Sequence, residues 1–432
     1  MLNKLFKLDK FQTNIKTEII AGITTFATMG YILIVNPQIL AISGMDKGAV
    51  FTATALSAIF ATLIMALYAN RPFALAPGMG LNAFFAFTVV KQMGYSWQFA
   101  LTAVFIEGIV FILLTFFHIR TAIINSIPFN LKKAVSVGIG LFIAFIGLQN
   151  AGIITANSTT LVTLGNISTK PVIIAIIGLI VTGFLLAKNI KGALIIGIIF
   201  STLLGIPLGV THLPENFQII SIPPSIAPTF LQFDFSNIFS LDMLIVLFTF
   251  LFIDFFDTAG TLIGVSTKAG FIDKNGNLPD VKKALFADAA GTTIGAMLGT
   301  STVTTYVESA AGVAAGGRTG LTAFSTAIVF AIALFMAPLF TIVPSVATAP
   351  ALVLVGLFMM SPIKNIDLTD YTEAIPAFIT IIIMPLAYSI SEGIAFGMIT
   401  YVILKVLVRR GKEVSILAYI IAALFILKYV FL

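Results

Sequence analysis

The chain has 432 residues, of which 59% are hydrophobic and only 10% charged, and its mean hydropathy is +1.08. Those values exclude an ordinary soluble domain and read as an all-α polytopic membrane protein. The net charge of +6 is an orientation signal rather than a nucleic-acid footprint, and the absence of cysteine removes disulfides, thiolate metal sites and cysteine nucleophiles.

The first sixteen residues, MLNKLFKLDKFQTNIK, are basic and polar, so no cleavable signal peptide is expected. Apolar segments bounded by Gly, Pro and charge follow at 17–40, 49–69, 72–91, 96–118, 132–155, 171–188, 190–210, 238–264, 283–300, 302–317, 319–343, 346–362, 374–390 and 391–408. That makes fourteen spans. A last apolar run, 414–431, reads as a fifteenth span or an interfacial helix. With the N-terminus cytoplasmic, the inner segments hold twenty Lys and Arg, from Lys4 to Lys412. The outer segments hold three, Lys47, Lys91 and Lys170, and the long outer loop 211–237 holds none. Moving the count by one span would scramble this bias.

Two segments are wrong for lipid-facing helices. Residues 72–82 read PFALAPGMGLN, and residues 299–317 read GTSTVTTYVESAAGVAAGG. Such backbone is tolerated at membrane depth only where protein or a watery cavity satisfies it. One segment is span 3 and the other span 10, each the third of a set of seven, as expected of two inverted repeats meeting at a midplane site. Spans 6–7 and 13–14 correspond as well, through the short links NIKGALIIGI and SISEGIAFGM. The hydrophilic loop 271–283 carries Asp273, Asn275 and Asn277 but lacks the later Gly and closing Glu of a calcium loop, so it reads as a turn. The acceptor-like triplets at Asn157 and Asn166 carry no weight.

The stretch FLFIDFFDTAGTLIGVS, residues 250–266, places Asp254 and Asp257 in an apolar run. Three apart on a helix, they share a face with Thr258 and Thr261. Carboxylates at membrane depth are expensive, so such acids are expected to face a cavity, a partner or a proton path. Glu308 in span 10 is a third acid of this kind, with half-helix amides near 307–309 as further donors. Asn82 occupies the matching place in span 3, either as a polar contact for a ring edge or as an N-cap. Asp288 and Glu107 suit helix–helix hydrogen bonding, whereas Glu18 and Glu392 are expected to be solvated at span ends. His118 and His212 fall at span edges or in loops, so no histidine metal site is expected. Three acids and no intramembrane Lys or Arg argue against an anion and suit a cation or a neutral ring presenting N–H donors. No ATP-binding loop and no HExxH motif occurs, which leaves a proton gradient as the best-fitting energy source and no cofactor.

FIDFFDTAGTL in span 8, TTYVES in span 10 and PFALAPGMGLNAFF in span 3 resemble the nucleobase–cation symporters of the xanthine/uracil permease superfamily. The similarity is strongest to their adenine/guanine/hypoxanthine branch. The resemblance covers nearly the whole chain. It implies fourteen spans in two inverted seven-span repeats, with short strands in spans 3 and 10 crossing at the midplane. It divides the chain into a core, 17–118 and 238–343, and a gate, 132–210 and 346–408. It further implies that Asp254 and Glu308 bind a purine base beside Asn82, that Thr258, Val307 and Ala27 line the pocket, and that Asp257 couples the proton. Elevator-like transport by a homodimer in the cytoplasmic membrane would follow. The uracil and xanthine branches carry Glu in span 8, and the uracil branch a nearby His. Aspartate here, with no such His, favours purines. A uracil, xanthine or other small-solute carrier on the same fold is the alternative, ahead of an embedded enzyme, a sensor or a channel.

Overall fold

The computed structural model describes residues 2–117, 128–214, 217–271 and 281–431. His118, Arg120 and the loop residues Asp273, Asn275 and Asn277 lie outside them. The chain is predominantly helical. Seven helices among the described residues are long and apolar enough to cross a membrane: Ile15–Ile42, Lys47–Ala69, Trp97–Thr115, Asn130–Asn150, Lys170–Ala187, Ser345–Asn365 and Ile390–Leu407. Shorter apolar helices run over Ala193–Gly205, Gly320–Leu334, Tyr371–Leu386 and Ile416–Leu427. Two further helices, Leu241–Ala269 and Val281–Leu298, carry Asp254 with Asp257 and Asp288.

The chain divides into two compact units, Met1–Ile112 with Gly147–Ala351, and Leu113–Ile146 with Leu352–Leu432. In the first, helix Lys47–Ile64 packs against Ile32–Ile42, Val281–Leu298 and Gly320–Leu334, and Gly320–Leu334 packs also on Ile15–Met29. Small residues set these approaches: a Cβ on Gly291 would strike Ala61 Cβ at 2.6 Å.

The two irregular segments meet inside this unit. Strand β1, Leu75–Pro77, pairs antiparallel with a strand at Val303–Thr305, with Leu75 opposite Thr305 and Pro77 opposite Val303. All six residues are buried. The pairing extends at both ends, where Tyr306 N donates to Ala74 O and Gly78 N to Thr302 O, each at 2.9 Å. The backbone of one broken segment thus satisfies that of the other, which is what a buried non-helical stretch requires. Beyond β1 the chain becomes a short helix, Met79–Ala83, and then a π-helix over Phe84–Gln92. A second strand pair among the described residues is the hairpin Ile154–Asn157 and Leu161–Leu164. Asn157 Oδ1 accepts from Thr159 N and Thr160 N in its turn.

In the second unit, helices Tyr371–Leu386 and Ile390–Leu407 form the main pair, and Ile416–Phe431 packs on the latter. Lys405 Nζ, buried at the helix end, meets Glu373 at 2.9 Å and Glu413 at 2.8 Å, while Arg410 bridges Asp370 and Glu413. Hydrogen bonds from Arg410 and then Lys405 hold the Glu413 carboxyl down at about 2.

Of the two acids expected to be solvated at span ends, only one is. Glu392 is half-buried and receives the Tyr429 hydroxyl. Glu18 is fully buried. It accepts from Arg318 N at 2.9 Å, Thr319 N at 3.2 Å, Thr322 N at 3.1 Å and Thr322 Oγ1 at 2.5 Å. Arg318 N and Thr319 N precede helix Gly320–Leu334, and Thr322 N, in its first turn, also meets the Thr319 carbonyl at 3.2 Å. Removing this acceptor with Glu18→Ala is expected to cost roughly 2–4 kcal/mol of stability. The check is a lowered melting temperature of the detergent-purified protein. An unchanged one would mean that other groups cap the helix.

Candidate functional site

The site is built where helix Leu241–Ala269 passes the paired strands. Thr258 is its hub. Its hydroxyl lies 3.2 Å from Asp254 Oδ1, 3.0 Å from both Asp288 oxygens and 2.8 Å from the Thr304 hydroxyl. Asp288 in turn accepts from Thr305 N at 3.1 Å. Asp254, Thr258, Asp288 and Thr304 are all buried, and together they fasten two helices to the strand Val303–Thr305. Asp254 and Thr258 sit one turn apart on one helix face, so the sequence brings them together locally. Asp288 comes from a different helix, and spacing alone could place it only in the membrane.

Asp257 has a different setting. It is half-buried, and its Oδ2 lies 3.6 Å from where a Cβ on Gly78 would stand. The same Cβ would meet Thr304 Cγ2 at 2.7 Å, so glycine is needed for the strands to approach at this point.

Glu308 follows the strand at the start of helix Ser309–Ala314 and makes no side-chain capping bond there. Its Oε1 accepts from the Tyr31 hydroxyl at 2.7 Å, and its backbone carbonyl faces Thr28 Oγ1 at 3.4 Å. Glu308 is half-buried and its neighbour Val307 is 50% exposed, so this end of the strand pair is open. Ser309 Oγ holds the other side by accepting from Ala74 N at 3.0 Å.

Asn82 is not a helix cap. Gly78 occupies the N-cap of Met79–Ala83, and Asn82 lies inside that helix, where its Oδ1 accepts from Ser301 Oγ. The residue is fully buried and its Nδ2 has no hydrogen-bond partner. Next along the chain, Thr302 Oγ1 donates to Glu107 Oε2 at 2.6 Å, and Asn36 Nδ2 donates to Thr300 Oγ1 at 2.9 Å. Three successive residues, Thr300 to Thr302, thereby anchor the strand to three different helices. Ala27 is half-buried in helix Ile15–Met29, and its carbonyl abuts Gly192, where a Cβ would stand at 2.9 Å.

The structure therefore brings Asp254 and Thr258 into one hydrogen-bonded cluster, sets Asp257 where Gly78 approaches Thr304, and puts Glu308 past the strand's end on Tyr31. It places Asn82 with Ser301 and Ala27 against Gly192. Sequence reasoning missed Tyr31, Thr304 and Ser301. Only the hydroxyl-rich run of residues 299–305 hinted at the last two. Carboxylates and hydroxyls dominate the arrangement, so its chemistry is to accept hydrogen bonds and to hold protons.

The chain matches the Permease family, of xanthine/uracil type, over residues 16–396. The guanine/hypoxanthine permease PbuG of Bacillus subtilis is 49% identical over 442 residues, covering 100% of both chains. The adenine permease AdeP of Escherichia coli is 46% identical over 432 residues, covering 100% of this chain and 96% of that protein. In fold, the chain is similar to the transmembrane domain of a cyanobacterial bicarbonate transporter, BicA. The TM-score is 0.65 at 16% identity, over 89% of this chain and 97% of that one. Full-length matches to named permeases, on a multi-helix membrane fold, establish that the chain belongs to the xanthine/uracil permease family.

Proposed function

We propose that this permease takes up purine nucleobases across the cytoplasmic membrane, driven by a proton gradient. The observation that carries the purine reading is near-half identity, end to end, to relatives named for adenine and for guanine and hypoxanthine. The site's chemistry agrees. A purine presents N–H donors on its ring edges, and Asp254 and Glu308 are acceptors. In this reading Asp254 and Glu308 bind the base, Asn82 lies beside it, and Thr258, Val307 and Ala27 line the pocket. Asp257, half-buried beside Gly78, carries the coupled proton. The family resemblance supports an elevator-like movement of a core against a gate, a homodimer, and an N-terminus on the cytoplasmic side. The positive-inside bias supports the same orientation.

A calorimetric titration of the purified protein tests the substrate class. Guanine, hypoxanthine or adenine should bind saturably and compete with one another, and uracil should not compete. Uracil binding with no purine binding would overturn the reading.

A further inference from the structure

We infer that Tyr31 is a positioning residue for substrate selection, setting Glu308 as a hydrogen-bond acceptor toward the ligand. Tyr31 sits at the junction between helices Ile15–Met29 and Ile32–Ile42 and is 1% exposed. It caps no helix with its side chain. Its hydroxyl instead reaches across 277 residues of sequence to Glu308 Oε1 at 2.7 Å. A phenol has one proton, and here it is donated to the carboxylate. The nearby Tyr306 hydroxyl cannot take over, because it is donated to the Pro77 carbonyl at 2.5 Å, inside the strand pair.

The consequence is a fixed polarity. With Oε1 held from the buried side by Tyr31, the carboxylate cannot rotate freely, and Oε2 is the oxygen left for a ligand on the half-exposed side. A ligand must then bring an N–H to that position, and an edge presenting a ring nitrogen lone pair is rejected. Tyr31→Phe keeps the ring and its packing but removes the donor. Glu308 is then free to turn or to take up a proton, and a protonated carboxyl offers an O–H that a lone-pair edge can accept. Tyr31 thus selects donors over acceptors without touching the base.

This inference rests on the reading of Glu308 as a base-binding group, and the test separates the two. Uptake and binding are measured for wild type, Tyr31→Phe, Glu308→Gln, Glu308→Asp and the double variant Tyr31→Phe/Glu308→Asp, with hypoxanthine and with its N1-methyl analogue, which lacks the N1 donor. Tyr31→Phe is expected to raise KM for hypoxanthine roughly tenfold, the worth of one hydrogen bond to a charged group, with Vmax changed less. It should also narrow the preference for hypoxanthine over the methyl analogue, which a purely structural role would not do. In the Glu308→Asp background, whose shorter side chain leaves the tyrosine, the Tyr31→Phe effect should largely disappear. Wild-type KM and selectivity in Tyr31→Phe, or a full effect in the double variant, would overturn the role of Tyr31. Wild-type binding in Glu308→Gln would instead overturn the reading of Glu308 itself.

Discussion

Glu308→Gln is expected to abolish base binding or to weaken it by about two orders of magnitude. The carboxylate is half-buried, with one oxygen already receiving the Tyr31 hydroxyl. On the proposed reading the other receives an N–H of the base. Glutamine keeps the shape and can still accept from Tyr31 through its amide oxygen, so the fold should persist. Its NH2 then faces the ligand's N–H, donor against donor. Losing a charge-assisted bond and leaving that donor without a partner costs about 3 kcal/mol, roughly a hundredfold in affinity. Equilibrium titration of the folded variant measures it. Affinity within a few-fold of wild type would remove Glu308 from the binding site.

Asp257→Asn is expected to separate transport from the proton gradient while leaving base binding within a few-fold of wild type. Asp257 is distinguished from Asp254 by its surroundings. Asp254 is fully buried and tied to the Thr258 hydroxyl, whereas Asp257 is half-buried at the edge where Gly78 lets the strands close up. A group that exchanges protons must be reachable, and one that lies against the paired strands at Gly78 can transmit its protonation to the site. Asparagine cannot carry the proton. Counterflow of labelled base should therefore continue, while uptake stops responding to an imposed pH difference. A variant that still concentrates base in proportion to that difference would assign the proton to another acid.

The acids of the site are legible in the sequence because the membrane makes them conspicuous: a carboxylate in a twenty-residue apolar run needs a reason. The broken segments are legible for a related cause, since Pro, Gly and β-branched residues in PFALAPGMGLN and GTSTVTTYVES cannot continue a helix. What lies beyond local reading is the partner of each group. Glu18 looks like a solvated span end until Arg318, Thr319 and Thr322, some 300 residues away, bring their amides to it. Asn82 fits a capping pattern, yet Gly78 holds the cap and Ser301 holds Asn82. The register that sets Leu75 opposite Thr305 depends on three-residue strands with no alternating pattern to read. Tyr31 lies in an apolar run where a tyrosine is unremarked, and its importance comes only from the carboxylate that its hydroxyl meets.

Uptake of radiolabelled guanine, hypoxanthine, adenine, xanthine and uracil into proteoliposomes, with and without an inward proton gradient, separates a proton-driven purine carrier from its alternatives. Saturable, gradient-driven uptake of one or more of the first three is expected, inhibited by other purines and unaffected by uracil. Uptake of uracil alone, or purine uptake indifferent to the gradient, would contradict it.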